Sequence, residues 1–191
     1  MLNTTVQVTP TNAPSEQPPL ITVAICTHNR AALMAEAVRS VLPQLDSDTE
    51  LVIVDNSSTD DTAKLAAGFA TANPRVSAFS ESKMGLSAAR NTVLATARGE
   101  YVIFLDDDAT AEDGWLEAYR RFFSGLPSAR VAGAGGAVFP RYEKPPPAWL
   151  NPRAYLLDWG DEPRAFARRG GPWPGRYSGP RLDPFYSQRR R

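Results

Sequence analysis

Four short apolar runs, separated by stretches with helical spacing, set the pattern of the chain. ITVAIC (21–26) and LVIVD (51–55) are continuous and rich in β-branched residues, as strands buried on both faces are. Arg75–Ser80 reads as a third strand and YVIFLD (101–106), the most apolar run, as a fourth. Between the first two, Ala31–Leu42 places Leu33, Ala37, Val38 and Val41 at helical intervals and then meets Pro43, which ends helices. Ser57, Ser58, Thr59 and Asp60 offer N-caps to a helix running through Ala72, with Asp60 and Asp61 suited to its first turn. Leu86–Arg98 is an Ala-rich helix that Gly99 stops. Glu112–Phe123 is a fourth helix with Trp115, Tyr119 and Phe122 on its core face, and Val131–Val138 is Gly-rich and extended. Strands alternating with helices across short connections predict an α/β fold, a mostly parallel sheet with helices on both faces. Ligands of such sheets bind outside the C-terminal ends of the strands.

A length of 191 residues suits one domain, or one domain with an appendage. Proline marks the divisions. Residues 1–20 hold four prolines among Thr, Asn, Ser and Gln and read as a flexible leader, whereas residues 21–139 hold three and residues 140–191 hold ten. The compact domain is therefore expected over 21–139, the start of a second region over 140–167, and an irregular Arg/Pro/Gly-rich tail over 168–191. Lys+Arg and Asp+Glu both number 21, but the zero sum joins unlike parts. The tail has seven arginines and one acid, which leaves 14 bases against 20 acids in residues 1–167, a net of −6. No global positive field therefore points to nucleic acid. The tail reads like GC-rich DNA translated in a wrong frame, with a basic docking arm as the alternative. A single cysteine, Cys26, excludes an internal disulfide and a Cys-rich zinc site. No run is long enough to span a bilayer and no signal peptide is visible, so the cytoplasm is the expected location, with room left for peripheral membrane contact.

The predicted strand ends are polar and mostly acidic. The first runs into Thr27, His28, Asn29 and Arg30, the second into Asp55 and Asn56, and the fourth into Asp106, Asp107 and Asp108. In a parallel sheet these sets converge on one edge. Adjacent carboxylates repel one another unless a cation or protons intervene. If the segment is extended, Asp106 and Asp108 fall on one side and can share a ligand while Asp107 points elsewhere. Hard oxygen donors suit Mg²⁺ or Mn²⁺, which commonly takes one or two carboxylates plus substrate phosphates. The plainer alternative is an acidic turn entering the next helix. Asp55 sits where an acid binds a ribose hydroxyl in dinucleotide folds, but the first strand–helix turn has no glycine, so NAD is disfavoured. A nucleoside contact by Asp55 stays open beside a turn-capping role. His28 reads more readily as a loop residue than as a catalyst, and Cys26 as a small buried strand residue.

Taken together, TVAICTHNRAALMAEAVRSVL, LVIVDNSSTDDT, SKMGLSAARNTVLATARGEYVIFLDDDAT and GGAVFPRYEKPPPAWL resemble family 2 of the inverting glycosyltransferases, over about residues 21–167. The resemblance implies a Rossmann-like GT-A fold, a nucleotide-diphospho-sugar donor, a divalent metal (Mg²⁺ or Mn²⁺) and a hydroxyl acceptor. It implies that Thr27, His28, Asn29 and Arg30 line the nucleotide pocket, that Asp55 contacts the base, and that Arg90 lies near the nucleotide or its phosphates. Asp106, Asp107 and Asp108 match the family's DxD motif. Asp106 or Asp107 would face the ribose, and Asp108, with Asp106, would hold the metal.

The family's acceptor half, with its "GANMAFRR"-like segment and carboxylate base, has no match here. The chain is therefore expected to be truncated after the donor-binding half, with Asp158, Asp161 and Glu162 as the nearest acids. Two other classes fit part of the pattern. A non-catalytic nucleotide-sugar-binding remnant needs no base. A DxDxT phosphatase would use Asp106–Thr110 with Lys144, although three strands precede the motif here where that class has none.

Overall fold

The computed structural model describes residues 18–124, 134–136, 138–142, 145, 147, 149 and 187–190. The chain divides into two compact units, Met1–Thr110 and Ala111–Arg191.

In the first unit, β1 (Ile21–Thr27), β2 (Thr49–Asp55), β3 (Val76–Ser80) and β4 (Tyr101–Phe104) form one parallel sheet in the order β3-β2-β1-β4. The connections are α1 (Ala31–Val41), α2 (Thr62–Ala72) and α3 (Leu86–Thr96). Every residue of β2 is buried, which is why its sequence reads as an unbroken apolar run rather than an alternating one. Side chains of the two central strands sort by parity. Ala24, Val52 and Val54 pack with Ala89 and Val93 of α3. The period of two turns Val23, Ile25, Leu51 and Ile53 to the other face, and α1 and α2 both lie against the sheet. The α1 side contributes Met34, Ala37, Val38 and Val41, all fully buried.

The far end of the sheet from the polar turns is tied by a buried carboxylate. Glu50 of β2 accepts hydrogen bonds from the Thr22 hydroxyl at 2.7 Å, the Arg98 amide at 2.8 Å and the Arg98 guanidinium at 2.6–2.8 Å. Gly99 donates its amide to Thr22 Oγ1 at 2.9 Å, and a Cβ there would lie 2.5 Å from the Thr22 nitrogen. The expected helix stop at Gly99 is thus corrected. α3 already ends at Thr96, and the glycine permits a close approach to β1.

Three other boundaries differ from expectation. Pro43 lies inside a 3-10 turn, Leu42–Gln44, that follows α1, because a proline at the start of a helical turn withholds no needed donor. α2 starts at Thr62, with neither Asp60 nor Asp61 in its first turn. Asp60 instead accepts the Thr62 amide at 3.0 Å and its hydroxyl. β4 ends at Phe104, and Asp106–Ala109 forms a turn closed by the Ala109 amide on the Asp106 carbonyl at 3.0 Å.

β5 (Ala109–Ala111) carries the chain into the second unit. There α4 (Trp115–Ser124) buries Trp115, Leu116, Tyr119 and Phe122, and the Trp115 and Tyr119 rings meet edge to face at 5.3 Å. β6 (Val138–Arg141) pairs in parallel with β7 (Ser187–Arg190), so the tail expected to lack regular elements contributes a strand. Residues 125–133, where an extended Gly-rich run was partly expected, lie outside the described residues, as do residues 1–17.

Candidate functional site

The strand order reverses direction at β1, whose neighbours are β2 on one side and β4 on the other. Crevices form at such switch points, outside the carboxyl ends of the strands. Register places Thr27 opposite Asp55 and Asp55 opposite Ser80, so the polar turns after β1, β2 and β3 begin level.

The turns after β1 and β2 hold each other. Asn29 and Ser57 both adopt the left-handed conformation, φ 51° and 59°. Asparagine tolerates it well, whereas serine needs local support. Asn29 donates its amide to Ser58 Oγ at 2.8 Å and accepts the Thr59 amide on Oδ1 at 2.7 Å. His28 donates from Nδ1 to the Asn56 carbonyl at 2.7 Å, which leaves Nε2 to accept from the Asn29 amide group at 3.2 Å. Arg30 donates its backbone amide to Thr62 Oγ1 at 3.2 Å. His28 and Asn29 therefore build the floor of the crevice through these bonds.

Asn56 was not singled out for a role in the sequence, yet its buried side chain fastens the third turn. Its amide group donates to the Glu81 and Lys83 carbonyls at 3.0 and 2.8 Å, and its Oδ1 accepts the Gly85 amide at 2.7 Å. Gly85, at φ 127°, supplies a conformation that L side chains rarely adopt. An Asn directly after a strand-ending Asp was the only sequence signal, because its partners are 25 to 29 residues away.

Within this bonded framework two buried polar atoms are left over. Asp55 Oδ1 and Thr27 Oγ1 have no hydrogen-bond partner among the described residues, and both residues are at least 95% buried. Asp55 Oδ2 has one long contact, from the Ser58 amide at 3.4 Å. Unsatisfied buried polar atoms are costly, about 1–3 kcal/mol each, so in native proteins such an atom calls for a reason, such as a bound water, ion or ligand or a catalytic role.

The aspartate turn lies at the β4 side of the switch point. Arg30 Nη1 donates to Asp107 Oδ1 at 2.8 Å and reaches Asp108 Oδ2 at 3.4 Å. The Asp107 side chain is 10% exposed, that of Asp108 22% and that of Arg30 48%. The expected pairing of Asp106 with Asp108 presumed an extended segment; the segment forms a turn, in which Asp107 and Asp108 both contact Arg30 and Asp106 is exposed. Arg90 of α3 is exposed and places its guanidinium 5.4 Å from the centre of the Phe104 ring, a cation–π contact at the end of β4. Burial pushes the Cys26 thiol up to about 11 against the pull of Arg90, and Asp107 and Asp106 push it the same way as burial.

Among the described residues no group of three or more His, Cys, Asp or Glu side chains could hold an ion unaided. The hard carboxylate oxygens of the turn nonetheless suit Mg²⁺ or Mn²⁺ when phosphates complete the shell. The Arg30 guanidinium already stands against two of these carboxylates as a cation. The residues suit an ion shared with a diphosphate better than one held by protein alone.

The fold and site define a mostly parallel α/β domain of the Rossmann-like GT-A class. The sequence matches the family described as Glycosyl transferase family 2 over residues 22–175. The chain belongs to that family. Among curated relatives, a cholesterol galactosyltransferase of Borreliella burgdorferi is 34% identical over 97 residues, covering 51% of this chain and 27% of the relative. A glucosyl-dolichyl phosphate glucuronosyltransferase of Haloferax volcanii is 29% identical over 144 residues, covering 74% and 45%. Among solved structures, the mannosyltransferase PcManGT of Pyrobaculum calidifontis, in complex with GDP-Man and Mn²⁺, has a TM-score of 0.51 at 29% identity, covering 68% of this chain and 38% of that one. TarS of S. aureus has a TM-score of 0.52 at 22% identity, covering 66% and 37%, a likeness of fold. The chain thus spans less than half the length of each of these proteins. No helix among the described residues is long and apolar enough to cross a membrane. Lys144, Asp158, Asp161 and Glu162 lie outside the described residues.

Proposed function

We propose that the first unit binds a nucleotide-diphospho-sugar and serves the inverting transfer of its sugar to an acceptor hydroxyl. The observation that carries this reading is the unpaired Asp55 Oδ1 beside the unpaired Thr27 Oγ1, level in register at the mouth of the sheet. An ionised carboxylate only accepts, and a threonine hydroxyl both donates and accepts. Together they suit a base that presents a ring N–H next to a carbonyl, as uracil and guanine do. Cytosine and adenine present a bare ring nitrogen there.

The rest of the crevice suits the remainder of such a donor. Arg30 and Arg90 bring positive charge to the phosphate side, and Asp106, Asp107 and Asp108 lie at the end of β4. A divalent metal, held by Asp108 with Asp106 and by the diphosphate, would supply Lewis-acid neutralisation of the leaving group's charge. The protein's own part is to grip the base, fix the crevice floor and keep the aspartate turn in place. PcManGT is a structural neighbour in complex with GDP-Man and Mn²⁺, which supports the donor class.

Titration of UDP, GDP, CDP and ADP by calorimetry, with and without Mn²⁺, tests this. UDP or GDP should bind best, and only with metal at full strength. Asp108→Ala should abolish the metal-dependent gain. Asp55→Ala should weaken binding about 10- to 100-fold whether or not metal is present, the worth of one hydrogen bond to a charged group. Equal binding of all four nucleotides, or normal Mn²⁺-dependent binding by Asp108→Ala, would overturn the assignment.

A further inference from the structure

Arg30 is tied down at its backbone, and its tip reaches across to the aspartate turn. Its amide donates to Thr62 Oγ1 and its carbonyl accepts the Met34 amide at 2.9 Å, opening α1. Asn29 before it is held in the left-handed region by the neighbouring turn. The guanidinium, half exposed, crosses to the aspartate turn and makes two unequal contacts through one nitrogen. The one to Asp107, at 2.8 Å, is a short charge-assisted bond to a nearly buried carboxylate. The one to Asp108, at 3.4 Å, is long and lies at the more exposed end of the turn.

These contacts differ in what breaking them would cost. Releasing Asp107 would leave a carboxylate nearly buried and unpaired, which is strongly unfavourable. Releasing Asp108 costs little, since water reaches it. Charge arithmetic runs the same way. Three adjacent carboxylates, Asp106, Asp107 and Asp108, outnumber the Arg30 guanidinium, so the turn keeps an acidic surplus that a cation can offset.

We propose that Arg30 is a resident counter-cation of the aspartate turn, which holds Asp107 permanently and Asp108 only until a diphosphate arrives. This rests on the donor-site reading above and adds to it an order of events. In the free protein, Arg30 repels a divalent ion and competes with it for Asp108. A bound diphosphate offers the guanidinium new acceptors and gives the ion further oxygens, so Arg30 gives up the long contact and keeps the short one. Metal and nucleotide then bind with positive coupling, and Arg30 carries part of that coupling.

The test measures free Mn²⁺ by electron paramagnetic resonance during titration of the 191-residue chain, without nucleotide and then with saturating UDP. Without nucleotide, Arg30→Gln should bind Mn²⁺ about tenfold more tightly than the parent, because one positive charge has left the site. Arg30→Lys keeps the charge and should stay within about twofold. With UDP the advantage of Arg30→Gln should shrink to about twofold or less, since the parent's arginine has moved off Asp108. Equal Mn²⁺ affinity of the parent and Arg30→Gln would overturn the proposal and leave Arg30 a structural ion pair. An undiminished advantage in UDP would overturn the coupling. If Arg30→Gln does not fold, Asp107→Asn is compared with the double variant Arg30→Gln, Asp107→Asn, in which no buried charge is stranded. The double variant should bind Mn²⁺ about tenfold more tightly than the single one, and equality would again overturn the proposal. Failure of UDP to bind the parent protein would refute the donor-site reading separately, because the Mn²⁺-only comparison needs no nucleotide.

Discussion

Cys26 occupies the next-to-last position of β1, half buried against the α3 side of the sheet, and its thiol is pushed up to about 11 from an ordinary 9.0, chiefly by burial. A raised pKa means that the native state keeps the proton after the unfolded chain has begun to lose it. Its contribution to stability is therefore complete below about pH 9 and declines as pH rises from there toward about 11. Urea denaturation of the parent and of Cys26→Ala at a series of pH values should show this. The parent should lose stability more steeply than the variant above about pH 9, and parallel curves would refute it. The same protonation keeps the thiol a poor nucleophile near neutral pH, so thiol reagents should label the folded chain slowly. Its position beside the crevice thus gives it no chemistry of its own.

At the scale of elements, the apolar runs placed all four parallel strands to within two or three residues, because continuous burial leaves a continuous signature. What the sequence hid were effects made by residues far apart in the chain. Gly99 looked like a helix stop, but its neighbour is the β1 backbone, 77 residues earlier. Gly99→Ala should destabilise the first unit by about 1–3 kcal/mol, as overpacking does when backbone must shift, and chemical denaturation measures it directly. Glu50, a carboxylate inside an apolar strand, carried no legible purpose until Thr22 and Arg98 were seen around it, 28 and 48 residues away. The start of α2 escaped for a related reason, since Asp60 also receives the Ala31 amide, at 3.4 Å, across the crevice floor. The acidic character of the site was plain in the sequence. The turn that redirects its carboxylates was not, because an Asp triplet reads alike in a strand extension and in a turn.

Across the whole molecule, the first unit has a sheet whose middle strands are paired on both sides, whereas β3 and β4 each pair with one strand of that sheet. Amide hydrogen exchange under native conditions should therefore be slowest in β1 and β2, at Val23–Ile25 and Leu51–Val54, and measurably faster in β4. Comparable protection in β4 would show that its outer edge is covered in solution. The strand order has a further consequence, which concerns synthesis rather than the finished fold. Arg30 and Asp107 are 77 residues apart, and β4, the last strand of this sheet to emerge, joins beside the first. At roughly 5–20 residues per second, a ribosome needs about 4–15 s to extend the chain from one to the other. During that interval β1 and β2 can pair and the crevice floor can form, but Arg30 lacks its acid and the sheet edge next to β1 lies open. The nascent chain thus makes the crevice floor before the aspartate turn finds Arg30, and a pause just before residue 101 would prolong its most adhesive state.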